Sequence, residues 1–217
     1  MEPTIGVFVF ASPGRDLAHR RCFESLAASD VGQDYTVCMH PSGRTPREHW
    51  LETHELAARC GKDWAIVLED DCLVGEHLLH NCRTWCMPRH RDFGAGWLYN
   101  AGGYLGVPTR RWYSGPWEWF GTVAVLYQVS AMQSLVDRAW QRMIEAPSSP
   151  WDFAISWAVH ANSKKIAVQY PSLVEHQEDV PSVVGNVHGG HVRTSRGTFR
   201  ADWRRDARDP CWWDGRE

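Results

Sequence analysis

Apolar residues fall along this chain in short runs of strand length, separated by polar stretches in which apolar positions recur with helical spacing. Thr4 to Phe10 is such a run, followed by the turn-forming loop Ala11-Ser12-Pro13-Gly14-Arg15 and by Leu17, Cys22, Phe23 and Leu26 at helical spacing. The order is strand, turn, helix. Tyr35 to Met39 predicts a second strand, and Thr45-Pro46-Arg47-Glu48 then supplies an N-cap, a proline at the first helical position and a glutamate at the third. This helix is expected to reach about Arg59 and stop at Cys60-Gly61. Trp64 to Leu68 is uninterrupted and apolar, as a strand buried on both faces requires. Leu73 to Cys86 is expected to be helical, closed by Pro88.

Phe93 to Trp119 is rich in Gly, Trp and Tyr and follows neither period, which predicts loops and short strands. Trp119 to Gln128 resumes as a strand. Ser130 is expected to cap a helix whose apolar face is Met132, Leu135, Val136, Ala139, Trp140 and Met143. Ser149-Pro150-Trp151-Asp152 opens another helix, and Lys165 to Tyr170 is a last strand running into Pro171-Ser172-Leu173-Val174-Glu175-His176. Strands alternating with helices predict an α/β fold with a mainly parallel central sheet, a Rossmann-like single domain.

Composition sets the bounds. At 217 residues, 43% apolar and 23% charged, the chain is of a size and make-up to fold as one domain with a sizeable core. That domain is expected over residues 1–190, with an Arg/Trp-rich tail over 191–217 packed on it or extending from it. The net charge of −3 is uneven, because the tail carries seven arginines against five acids and is +2, leaving −5 for the rest. No stretch reaches the roughly 18 apolar residues of a membrane span, and the first strand is too short for a signal peptide, so a cytoplasmic location is expected. Seven scattered cysteines fit buried or free thiols better than a disulfide framework; Cys82 and Cys86 lack the second pair a zinc site needs. Thirteen tryptophans exceed what most cores use, and some are available as stacking faces for sugars or bases.

The chemistry concentrates at Glu69-Asp70-Asp71, directly after the Trp64 to Leu68 strand. Adjacent carboxylates repel, so a strand that ends in three of them suits a site that binds a cation or ligand hydroxyls. The alternative is a solvated acidic turn. In open α/β sheets the ligand crevice lies beyond the carboxyl ends of the strands, which is where these acids fall.

The order of an N-terminal strand with an Arg-bearing loop, DWAIVLEDD, GTVAVLYQVSAMQSL, an acid opening a late helix, and PSLVEH resembles the GT-A glycosyltransferases. The likeness is nearest to the lipopolysaccharide and collagen type (family 25-like), with a Glu-Asp-Asp form of the Asp-x-Asp motif, and it spans roughly Thr4 to Asn186. It implies a metal-dependent enzyme that moves a sugar from a nucleotide-sugar, by family habit a UDP-sugar, to an acceptor hydroxyl on a glycan or small molecule. By the same resemblance Asp71 binds the metal, Asp70 contacts the ribose or donor sugar, and Glu69 supports the pair. His176 is implied as a second metal ligand, and imidazole suits Mn²⁺ better than Mg²⁺. His188 and His191 are weaker alternatives. Asp152 is implied as the general base, although a helix-capping role explains it equally. Ser12 and Arg15 are expected to meet the nucleotide, and Trp117, Glu118, Trp119 and Gly121 to shape the sugar pocket.

Two other classes stay open. The same chemistry directed at a hydroxymethylated base in DNA would use Arg193, Arg196, Arg200, Arg204, Arg205 and Arg208 against phosphates. A non-catalytic nucleotide-sugar-binding protein is disfavoured because all the expected acids are present.

Overall fold

The computed structural model describes residues 1–99, 123–148, 151–169, 171–177, 179–180 and 199–206. Among them, six strands form a central sheet: β1 (Ile5–Ala11), β2 (Thr36–Met39), β3 (Trp64–Glu69), β5 (Phe93–Trp97), β6 (Ala124–Gln128) and β7 (Lys165–Val168), in the order β2-β1-β3-β6-β5-β7. Five run in one direction, and β6 is antiparallel to both its neighbours, β3 and β5. The fold is therefore α/β with a mainly parallel sheet, as the alternation predicts.

Helices cover both faces. α1 (Asp16–Ala28) and α3 (Leu78–Thr84) pack on one face with Val7, Val9, Ile66 and Leu68. On the other, α2 (Pro46–Ala58), α4 (Val129–Glu145) and α5 (Trp151–Ala161) pack on Phe8, Ala65, Val67, Val125 and Tyr127. Burial on both faces is the reason β3 reads as an unbroken apolar run. The capping box of α2 is formed as expected, with the Glu48 N–H donating to the Thr45 hydroxyl and the Thr45 N–H donating to the Glu48 carboxylate. The apolar stripe of α4 is buried at Met132, Leu135, Val136, Ala139 and Met143.

Several local expectations are corrected. Leu73 to Cys86 is not one helix: Cys72–Val74 is a strand, β4, and only Leu78–Thr84 is helical. β4 is held because Val174–His176, in the segment into which the last expected strand runs, is a separate strand, β8, that pairs with it antiparallel. Such pairing is tertiary and leaves no local period. Ser130 does not cap α4, which begins one residue earlier after Gln128 and has no side-chain cap. Among the described residues Cys22, Cys38, Cys60, Cys72 and Cys82 are free, but Cys86 is disulfide-bonded, against the expectation of free thiols. Pairing depends on how thiols approach in space, which sequence spacing does not report. Among the described residues, no helix is long and apolar enough to cross a membrane.

The stretch 199–206 docks on the α1/α3 side. The Glu76 N–H donates to the Ala201 carbonyl (2.7 Å), the Asn81 amide to the Trp203 carbonyl (2.9 Å), and the Arg205 N–H to Asn81 Oδ1 (2.7 Å).

Candidate functional site

The carboxyl ends of β1 and β3 lie side by side, since Phe10 is in register with Glu69. Beyond β1 the chain turns through Gly14, whose φ of +79° is a conformation that favours glycine, and enters α1 at Arg15 and Asp16. Beyond β3 come Asp70 and Asp71. Two loops are thus brought face to face by strand pairing alone.

Asp70 is 2% exposed and fully engaged: one oxygen takes an Arg15 Nη1 hydrogen bond, and the other accepts from the Ser12 N–H (2.7 Å) and lies 2.8 Å from His19 Nε2. Burial pushes its carboxyl above the usual range, outweighing the Ser12, Arg15 and His19 contacts that favour the ion. Asp71 is the opposite case. Burial opposes its ionisation too, but the neighbouring His176 and then Arg15 outweigh it and hold the carboxyl at about 2. Its Oδ2 lies 2.7 Å from Arg15 Nη2 and 3.3 Å from His176 Nε2. Its Oδ1 and the His176 Nδ1 are buried without a hydrogen-bond partner among the described residues. Arg15 itself, flanked by these acids, is held above its usual range despite the opposing effect of burial.

His176 reaches Asp71 through the sheet. In the β4–β8 pair it stands opposite Cys72, the residue after Asp71, and the Gln177 N–H donates to the Asp71 carbonyl (2.8 Å). The Gln177 amide also donates to the carbonyls of Ala18 (3.2 Å) and Cys72 (3.3 Å), tying α1 to this corner.

Glu69 adds its charge to those acting on Arg15 and also borders a second feature. As the last residue of β3 it follows the alternation of Ala65 and Val67, toward the α2/α5 face, and lines a pocket with Phe10, Trp50, His54, Val67, Val125 and Trp151. Asp152 is in the first turn of α5, next to Trp151, whose ring meets Phe10 edge-on at 5.9 Å. The Tyr127 phenol is pushed well up by burial and then by the charge of Asp152. Asp70 and Asp71 thus gather with Arg15, His19 and His176, while Glu69 lines the aromatic pocket beside Trp151 with its charge still acting on Arg15.

Of the expected site residues, Ser12, Arg15, Asp70, Asp71 and His176 converge. Trp117, Glu118, Trp119, Gly121, His188 and His191 lie outside the described residues. In the tail, Arg200 and Arg204 are exposed, whereas Arg205 is 7% exposed, donates to Gln169 Oε1 (3.1 Å) and stacks 5.3 Å from the Trp203 ring. Arg205 therefore faces inward. Sequence reasoning missed His19 and Gln177. His19 stands four residues after Arg15 on the same helical face, a spacing that could have found it; Gln177 carries no local signal.

No group of three or more His, Cys, Asp or Glu side chains fit to hold a metal occurs among the described residues. Asp71 and His176 make two such ligands. Two ligands at right angles, each about 2.2 Å from one ion, stand about 3 Å apart, and their 3.3 Å separation fits that arrangement. A site with two protein ligands suits an ion that completes its shell with substrate phosphate oxygens and water.

No family model and no curated protein matches the chain. Among solved structures it is similar to a glycosyltransferase involved in the glycosylation of the major capsid of PBCV-1, with a TM-score of 0.47 and 12% identity over 77% of this chain and 82% of that one. It is also similar to the apo form of the bifunctional glycosyltransferase WbbM, with a TM-score of 0.52 and 10% identity over 78% of this chain and 39% of that one. The chain thus spans about two fifths of WbbM. At this identity, the likeness to WbbM establishes a shared fold.

Proposed function

We propose that the chain is a glycosyltransferase that moves a sugar from a nucleotide-sugar, a UDP-sugar, to a hydroxyl of a glycan or small-molecule acceptor. The observation that carries this reading is the meeting of Asp71 and His176 beside Arg15 and Asp70 at the carboxyl edge of a mainly parallel sheet, in a fold shared with a glycosyltransferase. Asp71 and His176 would hold a divalent cation, Mn²⁺ by the chemistry of the imidazole ligand. Bound there, the ion supplies Lewis-acid stabilisation of the departing diphosphate.

The rest falls to the chain's own side chains. Asp70, pinned by Ser12 and His19, offers a carboxylate edge to ribose or sugar hydroxyls. Arg15 carries a guanidinium whose fork matches phosphate oxygens. On the aromatic side Asp152 accepts the proton of the attacking hydroxyl, and attack from that side inverts the anomeric carbon. Trp151 and Glu69 line the approach.

The test is turnover. The protein with Mn²⁺ and a panel of nucleotide-sugars is expected to release UDP from at least one UDP-sugar, faster with a hydroxylated acceptor, and to stop in excess chelator. Turnover that is indifferent to chelator would remove the metal from the account, and no release from any donor would remove the enzyme.

A further inference from the structure

Arg15 already engages the Asp71 oxygen that faces His176. Its Nη2 lies 2.7 Å from Asp71 Oδ2, the same oxygen that stands 3.3 Å from His176 Nε2, while Nη1 binds Asp70; the side chain is 11% exposed. A guanidinium and a divalent cation sharing one carboxylate oxygen repel strongly in a site shielded from water. A metal joined to both Asp71 Oδ2 and His176 must therefore displace Arg15 from Asp71. Alone, an ion gains the carboxylate but costs Arg15 its partner. A diphosphate arriving with the ion gives Arg15 new oxygens of the geometry it already uses, so the exchange conserves pairing.

We propose that Arg15 is the resident counter-cation of Asp70 and Asp71 and exchanges them for the donor's diphosphate, so that metal and nucleotide bind as a coupled pair. This inference rests on the metal reading above. Asp70 tolerates the exchange, because the Ser12 N–H and His19 stay on its other oxygen. Arg15 sits at the junction of the Gly14 turn and α1, so the exchange asks for a change of side-chain rotamer and no movement of the helix. The consequence is that Mn²⁺ alone binds weakly, and that each ligand raises the other's affinity by the same factor.

The experiment is Mn²⁺ titration by electron paramagnetic resonance or calorimetry, with and without UDP, on the native protein, Arg15→Gln and Asp71→Asn. For native protein, UDP should tighten Mn²⁺ by about tenfold or more. Arg15→Gln should bind Mn²⁺ alone about tenfold tighter than native, with UDP adding less than threefold. Loss of Arg15 leaves two buried acids facing each other, so Arg15→Gln should also melt lower without metal and recover with Mn²⁺. If Arg15→Gln does not fold even with Mn²⁺, Arg15→Lys carries the test: an ammonium cannot bridge both acids, and Mn²⁺ alone should again bind tighter than to native protein. Unchanged or weaker Mn²⁺ affinity in the folded Arg15 variant overturns the exchange and leaves the metal site standing. Mn²⁺ binding that survives Asp71→Asn unchanged, or native protein that binds no Mn²⁺ even with UDP, overturns the metal reading and the exchange with it.

Discussion

Each acid at the end of β3 has a different environment, and the differences assign different tasks. Asp71, ionised and facing His176 through Oδ2, is suited to a cation, and the β4–β8 pairing brings His176 to it. His176→Ala should therefore raise the Mn²⁺ concentration for half-maximal UDP release by about tenfold or more; an unchanged metal titration would return the residue to a structural role. Asp152→Asn separates base from cap. Asparagine caps a helix but accepts no proton, so kcat should fall by about 10²-fold or more with little change in stability. A lower melting temperature with kcat intact would mean a cap. Much of this site was legible in the sequence, because Ser12, Arg15, Asp70 and Asp71 are placed by two strands and the turns after them. Glu69 was legible as the third acid of the run; it lines the aromatic pocket while its charge acts on Arg15 beside the pair. His19 lay one helical turn from Arg15, while Gln177 depended on a β4–β8 pairing that no local pattern records.

Among the elements, α2 carries the most consequential buried titratable group. His54 is stacked on Trp50 at 4.0 Å, and one ring nitrogen, Nδ1, bonds to the Trp50 carbonyl. Burial lowers its value from the usual 6.5 to about 4, although the Trp50 contact opposes this. The unfolded chain thus binds a proton near pH 6.5 that the folded chain refuses until about 4. Stability from the neutral ring is present above pH 6.5 and lost as pH falls through that window, about 3 kcal/mol in all. His54→Phe should flatten the native decline in unfolding free energy between pH 6.5 and 4, measured by urea denaturation; a variant with the native slope would mean that another group titrates. Elements with a strong period were legible, as α2 and α4 were. β5 was not, because Gly94 and Gly96 break its pattern, yet a Cβ at 96 would lie 2.7 Å from the Trp85 ring, so the packing demands what propensity disfavours. β4 and β8, three residues each, exist only as partners.

At the scale of the whole molecule, the sheet brings two loops together and the stretch 199–206 braces the corner from which β4 and β8 project. Asn81, 2% exposed, serves both the Trp203 carbonyl and the Arg205 N–H. Asn81→Ala leaves both without that partner and should cost about 2 kcal/mol in urea denaturation; a cost near zero would mean that the stretch contributes no docking energy. The general architecture was legible from strand–helix alternation, whereas the reversed direction of β6 was not, since an apolar run has no direction. The central claim is that Asp71 and His176 hold a metal against a nucleotide diphosphate, and it is tested most directly by anomalous diffraction from crystals grown with Mn²⁺ and UDP. The account predicts one Mn²⁺ peak about 2.2 Å from an Asp71 carboxylate oxygen and from His176 Nε2, with diphosphate oxygens completing its shell and Arg15 turned onto the phosphates. A Mn²⁺ peak elsewhere, or UDP bound with Arg15 still on Asp71 and no metal between Asp71 and His176, would contradict it.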